Sequence, residues 1–179
     1  MKPILPKSAR LTFAPLTLED ADFIVELLND PDFRRNIGDR GVREARDVEG
    51  YLSAGPWRSY EANRFGLLKI SETATASPVG IAGLIRRPTL DDVDLGYALL
   101  PRYRGRGYVS EACEALLELA GDVFGLTRVV AIVSQDNAPS IATLERVGFR
   151  FERVIPAGDG TPDVSLYGRA VTPHTPTPQ

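Results

Sequence analysis

A strand, a glycine-rich turn and a long amphipathic helix follow one another between positions 93 and 125, and this succession limits the possible folds more than any other stretch. Residues 93–100 are typical of a strand. Residues 105–124 carry apolar side chains at helical spacing, and Gly125 stands where a left-handed cap is expected. Arg128–Ser134 is nearly continuous apolar sequence, as in a buried strand. The order strand, helix, strand predicts a parallel crossover with a helix covering the sheet.

The remaining segments complete an α+β arrangement with a mixed sheet. Further strands are expected at residues 9–15, 64–70, 79–86, 149–155 and 164–171, and further helices at 17–28, 47–53 and 137–147. Residues 34–46 are charged and weakly patterned, which predicts a loop or a short turn. We expect one domain over residues 1–171, followed by a flexible tail rich in Pro and Thr over residues 172–179.

Composition limits the partners of this chain. The 179 residues carry a net charge of −3 and the pI is near 5.3, so a basic surface for nucleic acid is not expected. No stretch approaches the ~20 apolar residues that cross a bilayer, and residues 1–7 lack the apolar core of a signal peptide. The single cysteine, Cys113, excludes an internal disulfide, which fits a reducing compartment. We expect a cytoplasmic protein with neither nucleic-acid nor membrane partners.

The scarcity of histidine and cysteine excludes several kinds of catalytic site. The one histidine, His174, lies in the predicted tail, which cannot hold it rigidly beside a nucleophile. One histidine and one cysteine do not make a zinc site, so no metal is expected. No Gly-Lys-Ser/Thr follows a glycine loop, so the phosphate loop of nucleotide hydrolases is absent. Carboxylates, hydroxyls and backbone amides remain for the chemistry.

The turn before the long helix has the properties of an anion site. Free amides at a helix start and the helix dipole attract anions, and glycines allow a close backbone approach. Arg102, Arg104 and Arg106 add charge suited to phosphate, so a pyrophosphate is the natural ligand. The alternative is a tight strand–helix turn with solvated arginines. A dinucleotide fold is disfavoured because the third glycine of its motif is missing after Gly107.

The same residues resemble the coenzyme A motif of the GNAT superfamily, and in particular the branch that includes the ribosomal-protein alanine and serine N-acetyltransferases. The matching positions are Gly96-Tyr97, Pro101, residues 103–108 and Glu111-Ala112. Arg102 or Arg104 can be aligned with the first position of the motif, and Arg104 agrees better with the spacing to its neighbours. Val109 departs from the small residue that the family prefers. Residues 137–149 resemble a second block of the family, so the resemblance covers nearly the whole chain.

The resemblance implies a mostly antiparallel sheet of about seven strands flanked by about four helices, with acetyl-CoA as cosubstrate. Leu99 and Leu100 are expected to offer backbone groups to the pantetheine arm. Asn137 is expected to contact the coenzyme, to cap its helix, or both. The pyrophosphate is expected to bind at Arg104, Gly105, Arg106, Gly107, Tyr108 and Val109.

Two residues are candidates for the chemistry of acetyl transfer. Asp94 precedes Gly96-Tyr97 in a strand, where the branch often has an acidic residue, and is the candidate base for the attacking amine. It could equally be one more charge of an acidic loop. Many members of the family place a tyrosine on the last helix to stabilise the departing thiolate, and Leu144 stands there instead. Ser140, one turn earlier, could donate a hydrogen bond to the sulfur, or could bond only to local backbone.

The sequence leaves the acceptor amine open. A protein N-terminal α-amine is favoured because its pKa near ~8 requires less help than the ~10.4 of lysine. A small molecule such as an aminoglycoside, polyamine or amino acid is the alternative, and the acidic cluster Asp91, Asp92 and Asp94 would favour a cationic one. A non-catalytic module that binds acyl-CoA is a third hypothesis. The oligomeric state is also open, a homodimer included.

Overall fold

A computed structural model describes residues 2–158 and 160–172 of the chain, so the predicted tail, with His174, lies outside the described residues from position 173 onward. The strands are β1 (Leu11–Pro15), β2 (Leu67–Glu72), β3 (Pro78–Ile85), β4 (Val93–Leu99), β5 (Arg128–Ser134), β6 (Arg150–Ile155) and β7 (Val164–Ala170). The α-helices are α1 (Ala21–Leu28), α2 (Pro31–Asn36), α3 (Val48–Ala54), α4 (Pro56–Asn63), α5 (Tyr108–Asp122) and α6 (Ala138–Arg146). No helix within these ranges has the length and apolar character to span a membrane.

The seven strands form one mixed sheet in the order β1-β2-β3-β4-β5-β7-β6. Every neighbouring pair is antiparallel except β4 and β5, which are parallel. The helix α5 makes the crossover between these two strands, as expected. The predicted α+β class, with a mostly antiparallel sheet of seven strands, is therefore confirmed.

The two faces of the sheet are covered by different helices. The side chains of Val93, Leu95 and Leu99 on β4 belong to the apolar cluster that contains α5 and α6. Ala98 and Leu100 belong to a second cluster with α1, α2 and α3. Successive side chains of a strand point to opposite faces. Asp94 therefore shares the face of α1–α3, whereas Tyr97 lies on the face of α5 and α6.

The long helix α5 begins three residues later than the sequence predicted. Gly105 and Gly107 have φ of 75° and 78°, so they form the turn and not the first helical residues. The helix buries a stripe that includes Ala112, Cys113 and Leu116. It ends at Asp122, two residues before the predicted end. Gly125 has the predicted left-handed conformation, with a φ of 62°, and its neighbour Leu126 donates its N–H to the Ala120 carbonyl at 2.9 Å.

Two short helices were not predicted. The sequence indicated a stop at Asn29-Asp30-Pro31, and α1 does end there, but Pro31 also begins α2. Proline is tolerated in the first turn, and the Asp30 carboxylate caps the helix by accepting from the Phe33 N–H at 3.1 Å. The loop predicted from position 34 is thus helical up to Asn36. In the same way, Pro56 begins α4 directly after α3.

The packing at the centre of the sheet can be tested by comparing Gly83 on β3 with Gly50 on α3. A Cβ at Gly83 on β3 would lie 2.0 Å from the Gly66 carbonyl oxygen, and backbone atoms cannot move away as a flexible side chain could. We expect Gly83→Ala to lower the free energy of unfolding by about 2–4 kcal/mol. Gly50→Ala on α3, where a Cβ meets nothing within 4 Å, should raise it by about 0.5–1 kcal/mol. Urea denaturation of both variants measures the difference, and equal effects would contradict the packing.

Candidate functional site

A V-shaped opening separates β4 from β5 in the middle of the sheet. The two strands pair only at Val93–Val129 and Asp94–Val130, although both continue for several more residues. Beyond Asp94, the edge of β4 that faces β5 has no paired strand. An extended ligand can bind such an edge through main-chain hydrogen bonds.

The residues predicted to hold a pantetheine arm lie at the open end of β4. The N–H of Leu100 donates to the Val79 carbonyl at 3.0 Å, and its carbonyl accepts from the Tyr103 N–H at 3.0 Å, so both groups are already used. By strand alternation the backbone groups of Leu99 point the other way, toward β5. The Leu99 carbonyl accepts from the Arg104 guanidinium at 3.2 and 3.3 Å. The Leu99 N–H is thus the better placed of these groups for a ligand.

The turn at the open end of β4 leads directly into α5. Glu111 donates its N–H to the Gly107 carbonyl at 3.1 Å, which closes the first turn of the helix. The amides of Tyr108, Val109 and Ser110 have no intrahelical acceptor, as at every helix start, and Gly107 has no side chain to cap them. These amides and the positive end of the helix dipole are the groups for which the sequence predicted an anion site, and that site stays a prediction.

The three arginines of the turn have different roles. Arg104 contacts Asp30 at 2.5 Å and Asp32 at 2.6 Å, so its guanidinium joins the turn to the start of α2. Arg102 pairs with Glu26 on α1. The ion pair that Arg106 makes with a described residue is a long contact of 3.6 Å to Glu72, and its guanidinium stacks over the Tyr103 ring at 5.3 Å. Of the three, Arg106 is the most available to an anion.

Glu111 fastens the start of α5 to the segment that precedes β1. Its carboxylate accepts hydrogen bonds from the Ser8 hydroxyl, from the Arg10 N–H at 2.7 Å and from the Arg10 Nε at 2.6 Å. Partial burial raises the pKa of Glu111, but the hydrogen bonds from Ser8 and Arg10 outweigh it, so the pKa lies below its usual value. The carboxylate also lies in the first helical turn, where a negative charge is favourable.

A tyrosine and a serine meet where α6 begins. The Tyr97 hydroxyl on β4 lies 2.9 Å from the Ser140 Oγ and 3.2 Å from the Ser140 carbonyl oxygen. The Asn137 side chain caps α6 by accepting from the Ser140 N–H at 3.3 Å. Burial raises the pKa of Tyr97 well above its usual value, which keeps the phenol protonated. Leu144 is buried in the core one turn later.

Tyr97 belongs to the motif of the resemblance, but nothing in the sequence connects it with Ser140. The two residues are 43 positions apart in the chain. The hydrogen bond forms because the Tyr97 side chain points from β4 toward the face of the sheet on which α6 begins. Only the spatial arrangement shows that the Ser140 hydroxyl has a partner outside its own helix.

Asp94 lies at the apex of the opening and is 1% exposed. Its Oδ2 accepts from the Arg87 Nε at 2.6 Å, whereas its Oδ1 is buried without a hydrogen-bond partner among the described residues. Burial raises the pKa of Asp94, while the Arg87 charge and the Ile132 amide act in the opposite direction. A buried oxygen without a partner is an unusual feature that favours a role in proton transfer.

The two candidate catalytic residues lie on opposite faces of the sheet, with the opening between them. Asp94 points to the face of α1–α3, and Ser140 contacts Tyr97 on the face of α5 and α6. An acyl group held in the opening could thus be attacked from the face of α1–α3, and the leaving group could depart toward the face of α5 and α6. Cys113 lies on the second face but is fully buried, and burial raises the pKa of its thiol, so it is part of the core. In the described part of the chain, no group of three or more His, Cys, Asp or Glu side chains could hold a metal ion.

Comparisons with known proteins agree with this geometry. The family model of the acetyltransferase (GNAT) domain matches residues 10–150. N-acetyltransferase p20 of Bacillus licheniformis is 28% identical over 150 residues, which is 82% of each chain. The crystal structure of an acetyltransferase from Agrobacterium tumefaciens strain C58 has a TM-score of 0.79 and 25% identity, over 94% of this chain and 95% of that one. RimL, a ribosomal L7/L12 α-N-protein acetyltransferase solved with coenzyme A, has a TM-score of 0.80 and 19% identity over 94% and 98%.

The anchor at Glu111 predicts a pH-dependent stability. Because its pKa is lowered in the folded state, the carboxylate stabilises the fold above its unfolded value of 4.5 and loses this effect as the pH falls. Glu111→Gln should lower the free energy of unfolding by about 1–2 kcal/mol at pH 7. The difference from the unsubstituted protein should shrink below pH 4.5. Glu114→Gln in the same helix, whose partner Arg169 is a surface contact, should cost under about 0.5 kcal/mol. Denaturation at several pH values checks both, and a constant difference for Glu111→Gln would contradict the role of its charge.

Proposed function

We propose, since the chain belongs to the GNAT acetyltransferase family and is an acetyl-CoA-dependent acyltransferase, that it transfers the acetyl group to a primary amine by direct attack. The observation that carries the proposal is the opening between β4 and β5, which leads to the free amides at the start of α5. The sequence had left open a module that binds acyl-CoA without turnover. Membership of an enzyme family removes that hypothesis.

The coenzyme is proposed to bind along the open edge of β4 and across the start of α5. Leu99 would hold the pantetheine arm through its N–H, with Leu100 fixing the end of the strand. Gly105, Gly107, Tyr108 and Val109 would present the turn and its amides to the pyrophosphate. Arg106 would add a charge, since its side chain has no short ion pair among the described residues.

Arg104 and Asn137 are proposed to act on the coenzyme through the structures that they hold. Arg104 is occupied by Asp30, Asp32 and the Leu99 carbonyl, so it would fix the shape of the turn. Asn137 caps α6 and so fixes the position of Ser140 beside the opening. A direct contact of Asn137 with the coenzyme is also compatible with its half-buried position.

Acetyl-CoA supplies the acetyl thioester, and this chain supplies a proton acceptor on one face of the opening and a hydrogen-bond donor on the other. Asp94 would take the proton of the attacking amine on Oδ1, the oxygen that has no partner among the described residues. Arg87 would keep the carboxylate charged before the attack and would hold its orientation. Ser140 would donate a hydrogen bond to the departing sulfur while Tyr97 holds its hydroxyl in place.

The acceptor is proposed to be an α-amine, with the N-terminus of a protein favoured. An α-amine has a pKa near ~8, so a substantial fraction is neutral at physiological pH without a strong base. RimL, whose name gives a protein α-amine as its target, has the same fold over nearly the whole chain. A small molecule with an α-amine is the second candidate. The residues described on the coenzyme side of the opening do not distinguish a small molecule from a peptide.

The proposed coenzyme site is tested by placing a negative charge at the start of α5. Gly107→Glu should weaken acetyl-CoA binding at least about tenfold, because a carboxylate would compete with the pyrophosphate for the same amides. Gly125→Glu is a matched control, since Gly125 also has a positive φ, has nothing within 4 Å of a Cβ and lies at the other end of the helix.

Calorimetry with acetyl-CoA, coenzyme A, NAD and ATP measures the affinities of the unsubstituted protein and both variants. We expect binding of acetyl-CoA and coenzyme A only, with normal affinity in Gly125→Glu. Equal losses in the two variants would show that the effect comes from backbone strain, and an absence of acetyl-CoA binding would overturn the proposed function.

The role of Asp94 is tested by Asp94→Asn, which keeps the size of the side chain but removes the base. We expect kcat/KM to fall by about 10²–10⁴ with acetyl-CoA affinity unchanged. The pKa of Asp94 is raised by burial, so the rate of the unsubstituted protein should fall as the pH drops through that pKa. This dependence should be absent in the variant.

Asp20→Asn is the control for the loss of a buried, ion-paired carboxylate, since Asp20 pairs with Lys69 away from the opening. Its kcat/KM should stay within about twofold of the unsubstituted protein, on the basis that it supplies no group to the reaction. If both variants lose the same fraction of activity, Asp94 is structural and the proton acceptor lies elsewhere.

A further inference from the structure

A cavity of about 480 Å³ lies between the loop that precedes β4 and the strands β5, β7 and β6. Its apolar lining comes from Val130 on β5, Leu166 on β7 and Ile155 at the end of β6. Charged residues at its rim come from the loop before β4 and from β6, among them Asp91 and Arg153. This size is typical of sites for small ligands or for a few residues of a peptide.

The cavity lies on the same face of the sheet as Asp94. Val130 is the Cα partner of Asp94 in the parallel pair, and directly paired residues share a face. Ile132 and Arg153 are both partners of Leu166 in the antiparallel ladders, so they share that face too. The helices α1–α3 cover β3 and β4 on this face and leave β5, β7 and β6 to the cavity. The cavity and the proposed base thus lie on the same face of the sheet, where Val130 of the cavity lining is directly paired with Asp94.

Most charges around the cavity neutralise one another. Asp92 pairs with Arg128 at 2.9 Å, and Arg128 also pairs with Glu152 at 2.7 Å. Asp94 pairs with Arg87 at 2.6 Å. Of the acidic cluster that favoured a cationic acceptor in the sequence, Asp92 and Asp94 are thus paired, although Asp92 shares Arg128 with Glu152.

Two charged side chains at the cavity remain without a partner in the described structure. The guanidinium of Arg153 has neither an ion pair nor a hydrogen bond to any residue described, and the same holds for the carboxylate of Asp91. Arginine binds carboxylates through two parallel hydrogen bonds, which gives orientation as well as affinity. An anionic group and a cationic group on the same ligand would satisfy both side chains.

We propose that this cavity is the acceptor site and that it selects amines that carry a carboxylate a few atoms away from the amine. Arg153 would bind the carboxylate, Asp91 would attract the ammonium form, and the apolar floor would take the intervening carbons. The inference rests on the proposed acetyl transfer and names its substrate class. Free amino acids and peptides with an acidic side chain near the N-terminus both have this chemistry.

The test compares acceptors of equal size and opposite charge with the full chain and acetyl-CoA. The peptides Ser-Glu-Ala-Ala, Ser-Gln-Ala-Ala and Ser-Lys-Ala-Ala, each with an amidated C-terminus, are assayed beside free glutamate and free serine. We expect kcat/KM to be at least about tenfold higher for the acidic peptide than for the lysine peptide. Arg153→Glu should abolish or reverse this preference while the affinity for acetyl-CoA stays unchanged. Arg150→Glu makes the same change on the same strand outside the lining of the cavity, and should keep the preference.

The outcomes separate this inference from the proposed function. Turnover of free glutamate and serine, with little turnover of the peptides, would support the same site with small acceptors. Turnover without a charge preference, or a preference that Arg153→Glu leaves intact, would overturn the acceptor site and leave acetyl transfer standing. Binding of acetyl-CoA without turnover of any carboxylate-bearing amine would also overturn it. A failure to bind acetyl-CoA would remove the proposed function itself.

Discussion

The site depends on the early end of the pairing between β4 and β5. Only Val93 and Asp94 pair with β5, and the strands then separate. The buried carboxylate of Asp94 belongs to the last of these pairs and accepts from Arg87 on one of its oxygens. Its other oxygen has no hydrogen-bond partner among the described residues. A buried charge costs free energy unless it is paired, so the ion pair with Arg87 lowers the cost of the charged form of Asp94.

A second set of contacts holds the opening at its wide end. Arg104, at the end of β4, contacts Asp30 and Asp32 at the start of α2. The Ser134 hydroxyl, at the end of β5, donates to the Asn36 carbonyl at the end of α2 at 2.9 Å. The helix α2 therefore spans the distance between the two strands on the face that α1–α3 cover. The contacts of this short helix set the distance between β4 and β5 at the open end, where the parallel ladder no longer joins the two strands.

The sequence predicted the parts of the fold that depend on local patterns. The strand, turn and helix from β4 to α5 and the glycine at the end of α5 follow from periodicity and from φ preferences, which act over a few residues. The later start of α5 could not be predicted, because the turn takes its shape partly from Arg104. That side chain bonds to Asp30, 74 positions away in the chain. The helix α2 was missed because Pro31 signals both the end of one helix and the start of another.

The candidate site was predictable to a similar extent. The anion site at the start of α5 follows from glycines and free amides close together in the sequence. The pair of Tyr97 and Ser140, the cavity at β6 and the free guanidinium of Arg153 depend on which strands become neighbours. The roles of Asp94, Ser140 and the coenzyme residues remain predictions, supported by where the fold brings them together.

The division between the two halves of the sheet also bears on how such a chain could change its acceptor. The proposed coenzyme side is formed by β4, α5 and α6, whose side chains belong to the main core, so substitutions there disturb the fold. The proposed acceptor side is formed by the loop before β4 and by β6, an edge strand whose residues are mostly exposed. Charges at these positions can change at a small cost in stability. The same proposed chemistry at the apex could thus serve different amines, because the residues proposed to select the acceptor are not those that hold the sheet together.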